Sequence, residues 1–293
     1  MRRVFPIIVA AGLLAGCTAT PQAAPSPPRA PSPTPSPVCQ GHPTPKCTGL
    51  PPGRKLTEVE LNIDGLAHLV DTPGAVLDGV HVKGELVIGA DNVTIKNSLI
   101  DGQVWGEYNM KFSSFTISDS TVGPASGCNQ APGVGPAKYK ATRVNIRNHS
   151  DGFRASGDDI DIRDSYIKLC SNPGDHSDGI QSYKTGKNLI FHHNTIDQRF
   201  AKDATAPIFL VDEGQENVTV TDNLVMGGTY SIQVRNVAGR QVVRDNKLVD
   251  KSWVYGPVVA DCRDTVWADN TLVRIDEDYR ITGTVGPLAC DGP

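Results

Sequence analysis

Eight short segments of the chain share one grammar: IKNSLI (95–100), ISDSTV (117–122), IRNHSDG (146–152), IRDSYI (162–167), FHHNTI (191–196), VTDNLV (220–225), VRDNKLV (243–249) and WADNTLV (267–273). Each is a short β-prone run, a polar pair containing Asn, Asp or His, and in most cases a second β-prone run. The polar position falls at 97, 119, 148, 164, 193, 222, 245 and 269, a mean step of about 25 residues with extremes of 16 and 29. A period in the twenties, with several short strands per unit, marks a solenoid in which each repeat stacks only on its neighbours. The LxxLxL pattern of leucine-rich repeats is missing, and a propeller blade needs roughly 40 residues. A parallel β-helix fits: each coil adds one strand to each of several parallel sheets, with the polar residue at the bend. Asparagines stacked there can hydrogen-bond along the axis. At about 4.8 Å per coil, eight or nine coils make a rod of roughly 40 Å.

The rest of the chain agrees. From about residue 50 to 290 no stretch carries apolar residues at i, i+3, i+4 and i+7, whereas alternation rich in Val, Ile and Thr recurs between Asn, Asp and Gly. Upstream, MRR, a short apolar run and LAGC (14–17) have the layout of an export signal over residues 1–16. LAGC resembles a bacterial lipobox, which implies lipidation of Cys17 and a membrane contact through the lipid alone. Residues 17–37 are proline-rich with a single charge, a composition that behaves as an extended spacer. The domain is therefore expected over 38–293, opening with a disulfide-bonded lead-in. Losing Arg2 and Arg3 takes the formal charge from −4 to −6. That disfavours nucleic acid as partner, since phosphate binding needs a basic face. Six cysteines follow Cys17, an even number that suggests three disulfides in an exported chain. Sequence leaves the pairing open, with the local set 39–47, 128–170 and 262–290 favoured. No CxxC spacing points to a structural zinc.

Residues 50–275 resemble the right-handed parallel β-helix, or pectate-lyase-like, superfamily. The opening TPGAVLDGVHVKGELVIGADNVTIKNSLIDG (72–102) and HSDGIQ (176–181) are similar to secreted actinobacterial β-helix proteins that carry an HNDGIQ-type motif. The resemblance implies an all-β, single-stranded right-handed parallel β-helix. A monomer is expected.

The motif HSDG occurs twice, at 149–152 and 176–179. If the copies occupy successive coils, Asp151 stacks on Asp178 and His149 on His176, with Cα atoms roughly 5 Å apart. Two carboxylates that close split their titration, one holding its proton while the other ionises. That division serves acid–base chemistry on a glycosidic bond. Alternation then puts Phe153, Ala155, Ile180 and Ser182 inward and Arg154, Gln181 and Tyr183 outward, with Gln233 and Arg235 on the same face farther along. Arg154 and Arg235 suit uronate carboxylates, and Tyr183 can stack on a sugar or move a proton. The structural alternative is that Asp-Gly is turn chemistry and each Asp caps a coil edge by accepting backbone N–H groups.

The NTDG segment of polygalacturonases is similar to HSDG, but the DD pair of the next strand, GHG and RIK are missing here. Pectate lyases use calcium, for which Asp158, Asp159 and Asp161 offer oxygens; a solvated edge is the simpler reading, and no metal or cofactor is assigned. His192 and His193 read as bend residues, and Trp253 and Tyr255 as a sugar platform or a loop anchor. The functional expectation is an exported protein cleaving an acidic polysaccharide by lyase or hydrolase chemistry, with lyase favoured and His149, Asp151, His176, Asp178 and Tyr183 as catalytic candidates. The alternative is a glycan-binding or structural cell-surface lipoprotein.

Overall fold

The computed structural model describes residues 38–183 and 186–292. The export signal, Cys17, the proline-rich spacer and Lys184 lie outside the described residues. The described chain is all β, and its strands fall in turn into three long sheets. Sheet I has eleven strands, and sheets II and III have nine each. Val93–Lys96 belongs to sheet II, Leu99–Ile100 to sheet I and Val104–Trp105 to sheet III; the next three sheet strands, Phe115–Ser118, Thr121–Val122 and Asn129–Gly135, repeat that order. Pairing within the sheets is parallel up to Thr271–Ile275, on which Ile281–Pro287 closes sheet I antiparallel. This arrangement is compatible with a parallel β-helix. Neither the antiparallel closing strand nor a small hairpin, Glu107–Tyr108 with Lys111–Phe112, was expected from the repeat.

The interior is built by identical register positions stacking along the axis. In sheet II, Ile95, Ile117, Ala141, Ile162, Phe191, Val220 and Val243 pair in succession, and all are buried. Each large aliphatic side chain so buried stabilises by about 1.5–3 kcal/mol. Phe115, Tyr139 and Phe153 stack ring on ring inside, with centroids 5.3 and 6.3 Å apart.

Asn97, Asp119, Asp164, His193, Asp222, Asp245 and Asp269 each turn the chain from sheet II to sheet I with φ between +47° and +60°. Short polar side chains tolerate this left-handed region best. The expectation for position 148 is corrected. The equivalent bend residue is Arg143 (φ 53°), and Asn148 turns the chain one bend later, from sheet I into sheet III. With 143 in place, the irregular steps of 29 and 16 become 24 and 21. Arg143 hid because Arg-Val lacks the Asp/Asn signature; its guanidinium clamps Asp119 of the coil before, at 2.7 Å to each carboxylate oxygen.

The axial ladder sits one residue beyond the bend. Asn194, Asn223, Asn246 and Asn270 are buried, and each of the first three donates its backbone N–H and its Nδ2 to the Oδ1 of the next, at 2.9–3.0 Å. Ser98, Ser120 and Ser165 hold the same place in earlier coils. Their hydroxyls accept the N–H of Val80, Ser98 and Val144 respectively.

Three disulfides join Cys39 to Cys47, Cys128 to Cys170 and Cys262 to Cys290, the local pairing. Disulfides of this kind fit an exported chain in an oxidising compartment.

Candidate functional site

The doubled motif does lie in successive strands of sheet III, His149–Arg154 and Ser177–Gln181, with Phe153 paired to Ile180 and Arg154 to Gln181. What each residue does there is mostly structural. Asp151 Oδ1 accepts the N–H of Asp178 at 3.1 Å, and Asp178 Oδ1 accepts the N–H of Ala206 at 3.0 Å. Each aspartate thus ties its coil to the next. The hydroxyls of Ser150 and Ser177 meet at 3.3 Å in the interior. A Cβ on Gly152 would lie 2.2 Å from the Gly179 carbonyl oxygen, and one on Gly179 would lie 2.2 Å from that of Pro207. Gly is required at both places because the neighbouring backbone passes so close.

The expectation of two matched imidazoles is corrected. His149 is fully buried, with Nδ1 2.7 Å from the Ala131 carbonyl. Burial holds its pKa below the usual value, only partly offset by the carbonyls of Ala131 and Gly102. His176 precedes its strand and is exposed on the corner loop beside Asp175. The two copies diverge here because the second follows the inserted KLCSNPGD segment (168–175).

The carboxylates differ as well. Asp178 is 1% exposed; burial, reinforced by the charge of Asp151, holds its carboxyl well above the ordinary range. Asp151 is also raised by burial, but Arg154 opposes the shift through a 2.8 Å ion pair. Residues three apart in a regular strand face opposite sides. Asp151 and Arg154 meet because the alternation breaks between them: a Cβ at Gly152 would point at core Ile167, and Phe153 is itself buried.

A linkage test follows for Asp178. The folded state holds this proton more tightly than the unfolded chain, whose Asp titrates near pH 3.9. The cost of burial is therefore absent below that pH and grows as pH rises toward the folded value. Asp178→Asn keeps the acceptor for Ala206 and removes the charge. Its melting temperature is expected to match or exceed that of the unmodified protein at pH 7, with the gap closing toward pH 4. Thermal scans across this range check it; an early-melting variant at pH 7 would show a carboxylate held ionised by its donors.

Four side chains share one register row. Pairing runs from Arg154 to Gln181, to Phe209 and to Gln233. Trp105 stands two strands before Arg154, across Gly135. Arg154 and Gln181 are half-buried and Tyr183 is exposed, with the guanidinium of Arg154 5.7 Å from the Tyr183 ring centre. Gln233 holds the outward register yet is only 7% exposed, and Arg235 is half-buried. Gln181 Oε1 and Arg235 Nε are buried without a hydrogen-bond partner. Beside this row lies a cavity of about 390 Å³ lined by Trp105, Glu107, Phe112, Pro136, Arg154, Ser156 and Tyr183.

Trp105, Glu107 and Phe112 were not anticipated. Trp105 was readable, since Val104 is a core position and alternation turns the next residue outward; Phe112 arrives on the hairpin, which no period reveals. Farther along, Trp253 packs against the core while Tyr255 is 73% exposed with its ring 6.1 Å from that of Tyr230.

The remaining candidates have other partners. Asp158 accepts the N–H of Lys187, Asp159 accepts from Asn188, and Asp161 pairs with Arg163. His193 binds Asp164 at 2.6 Å, and His192 contacts the Thr221 hydroxyl. Among the described residues, no three His, Cys, Asp or Glu side chains are grouped as metal ligands. Compared with known proteins, the chain matches no family, no curated protein and no solved structure.

Proposed function

We propose that the chain is an exported right-handed parallel β-helix of about nine coils, held at a membrane through Cys17, that binds an acidic polysaccharide along the outer face of sheet III. Strands that cross over in one direction favour the right hand. The observation that carries the binding reading is the register row Trp105–Arg154–Gln181–Phe209–Gln233, flanked by Tyr183. Strands about 4.8 Å apart set aromatic, guanidinium and amide groups in a line, which suits an extended polymer rather than a compact ligand. Aromatic faces pack on sugar rings, the guanidinium pairs with a carboxylate, Glu107 accepts from hydroxyls, and the amide nitrogen of Gln181 donates to them. Asp151 holds Arg154 by one nitrogen and so orients it.

The closeness of Arg154 and Tyr183 favours lyase chemistry as the catalytic form of this reading. In that step Tyr183, as the phenolate, takes the proton α to the uronate carboxylate while Arg154 stabilises the charge that develops there. A carbon–carbon double bond forms as the bond to the β-oxygen breaks, and the electron pair leaves on that oxygen, which takes the proton back from Tyr183 and restores the phenolate. His149 and Asp178 are too deeply buried to touch substrate, and their place in this reading is to hold Asp151 and the strand.

The test is a panel of polygalacturonate, alginate and hyaluronan with a neutral glucan as control, read by retention, by ultraviolet absorbance of unsaturated products and by new reducing ends. A lyase gives all three signals, a hydrolase the first and third, and a binder only the first. Arg154→Gln is expected to weaken retention by about tenfold, the scale of one charge-assisted hydrogen bond. Retention of none of the acidic polymers would overturn the proposal.

A further inference from the structure

The hairpin that interrupts the solenoid carries a feature its own fold does not need. Glu107–Tyr108 and Lys111–Phe112 pair antiparallel, with Tyr108 opposite Lys111 and Glu107 opposite Phe112, so the turn has two central residues, Asn109 and Met110. Both have positive φ, +50° and +60°. A two-residue turn of this kind takes Asn readily at its first position and Gly at its second. Met at the second position stands where a side chain is disfavoured. Burial does not offset the strain: Met110 is 95% exposed. A strained residue that packs on nothing in its own molecule is a reason to look for function.

The hairpin's surroundings supply a direction. Glu107 and Phe112, opposite each other and so on one side of the hairpin, line the cavity shared with Trp105, Arg154 and Tyr183. Tyr108, on the other side, comes close to Gly89 one coil toward the N-terminus, near enough that a Cβ there would sit 3.4 Å from its ring. One side of the hairpin is braced on the solenoid and the other is a wall of the groove, with Met110 exposed at the hairpin's tip.

We propose that the Glu107–Phe112 hairpin is the gripping wall of the groove, and that Met110 is kept at its strained tip to pack its flexible thioether chain against the apolar face of a bound sugar. This rests on the glycan-binding reading and adds to it the element that grips the polymer. Unbranched and polarisable, Met adapts to a surface of irregular shape, which suits a contact made only when ligand is present.

The test compares Met110→Gly, Met110→Leu and Arg154→Gln for binding of polygalacturonate, alginate and hyaluronan, with melting temperatures measured alongside. Met110→Gly relieves the turn, so its melting temperature should hold or rise, while affinity for the retained polymer falls about threefold to tenfold. Met110→Leu keeps an apolar chain and should bind like the unmodified protein. Loss of affinity in Arg154→Gln with unchanged affinity in Met110→Gly would overturn the hairpin's role and leave the groove standing. Unchanged affinity in both, or no binding by the unmodified protein, would overturn the groove and the hairpin's role with it.

Discussion

Asn223→Ala is expected to be among the most damaging single substitutions in the chain, costing about 3–5 kcal/mol. The side chain is fully buried and makes every contact an amide can make along the axis. Its Oδ1 accepts the backbone N–H and the Nδ2 of Asn194, both at 3.0 Å, and its Nδ2 donates to Asn246 Oδ1 and to the Phe191 carbonyl. Alanine leaves two donors of Asn194 in a dry interior, each costing about 1–3 kcal/mol when unsatisfied, and adds a cavity. Asn223→Ser gives the comparison that makes this specific. A serine hydroxyl accepts the preceding coil's N–H at the same place in earlier coils, as Ser98 does for Val80. It should recover the backbone bond but not the Nδ2 partner, and so melt between the two. At roughly 2–4 °C per kcal/mol for a domain of this size, melting scans resolve all three. Equal melting of the alanine and serine forms would mean that the ladder's backbone acceptor carries no weight.

That ladder shows why some of this structure was legible in the sequence and some was not. A repeat that must turn in the left-handed region at each coil selects Asn, Asp or His there, and this selection wrote the period plainly at 97, 119, 164, 193, 222, 245 and 269. Where a different residue met the same demand, as Arg143 does by pairing with Asp119, the signal vanished and Asn148 took its place by resemblance of letters. Alternation correctly turned Phe153 and Ile180 inward and Arg154 and Gln181 outward. It could not show that Gly152 and Phe153 both face the core, which is what brings Asp151 beside Arg154. Nor could it separate a reactive aspartate from one spent on the next coil's N–H, because both leave the same four letters. The histidines failed for a related reason: His149 and His176 share a motif, but strand and burial claim only the first. The hairpin at 107–112 lies outside the repeat and was invisible to any reading by period.

Gly179→Ala is the other severe change, and it bears directly on what the doubled motif is for. The added methyl would sit 2.2 Å from the Pro207 carbonyl oxygen and 2.4 Å from Ile196 Cγ2. The first is backbone of the next coil, fixed by the pairing of Ile180 with Ile208, and the second is a core side chain with no exposed surface. Neither can rotate away, so the coils must separate locally. That strains the hydrogen bond that Asp178 Oδ1 accepts from the Ala206 N–H. Overpacking of this kind costs about 3 kcal/mol or more, a melting shift of roughly 6–12 °C at the scale given above. Gly152→Ala meets the Gly179 carbonyl at the same 2.2 Å, and should behave alike, because Gly179 carries no side chain to give way either. Gly174, by contrast, has a positive φ and open space around it. Gly174→Ala should therefore lose only the smaller cost of a left-handed alanine, about 1–2 kcal/mol, despite its place five residues from Gly179. If Gly179→Ala and Gly174→Ala melt together, close approach is not the reason for glycine in the motif, and the scaffold account of Asp-Gly fails with it. If they separate as expected, the repeat of SDG is explained by coil-to-coil packing, and recognition is left to Arg154, Tyr183 and the groove they line.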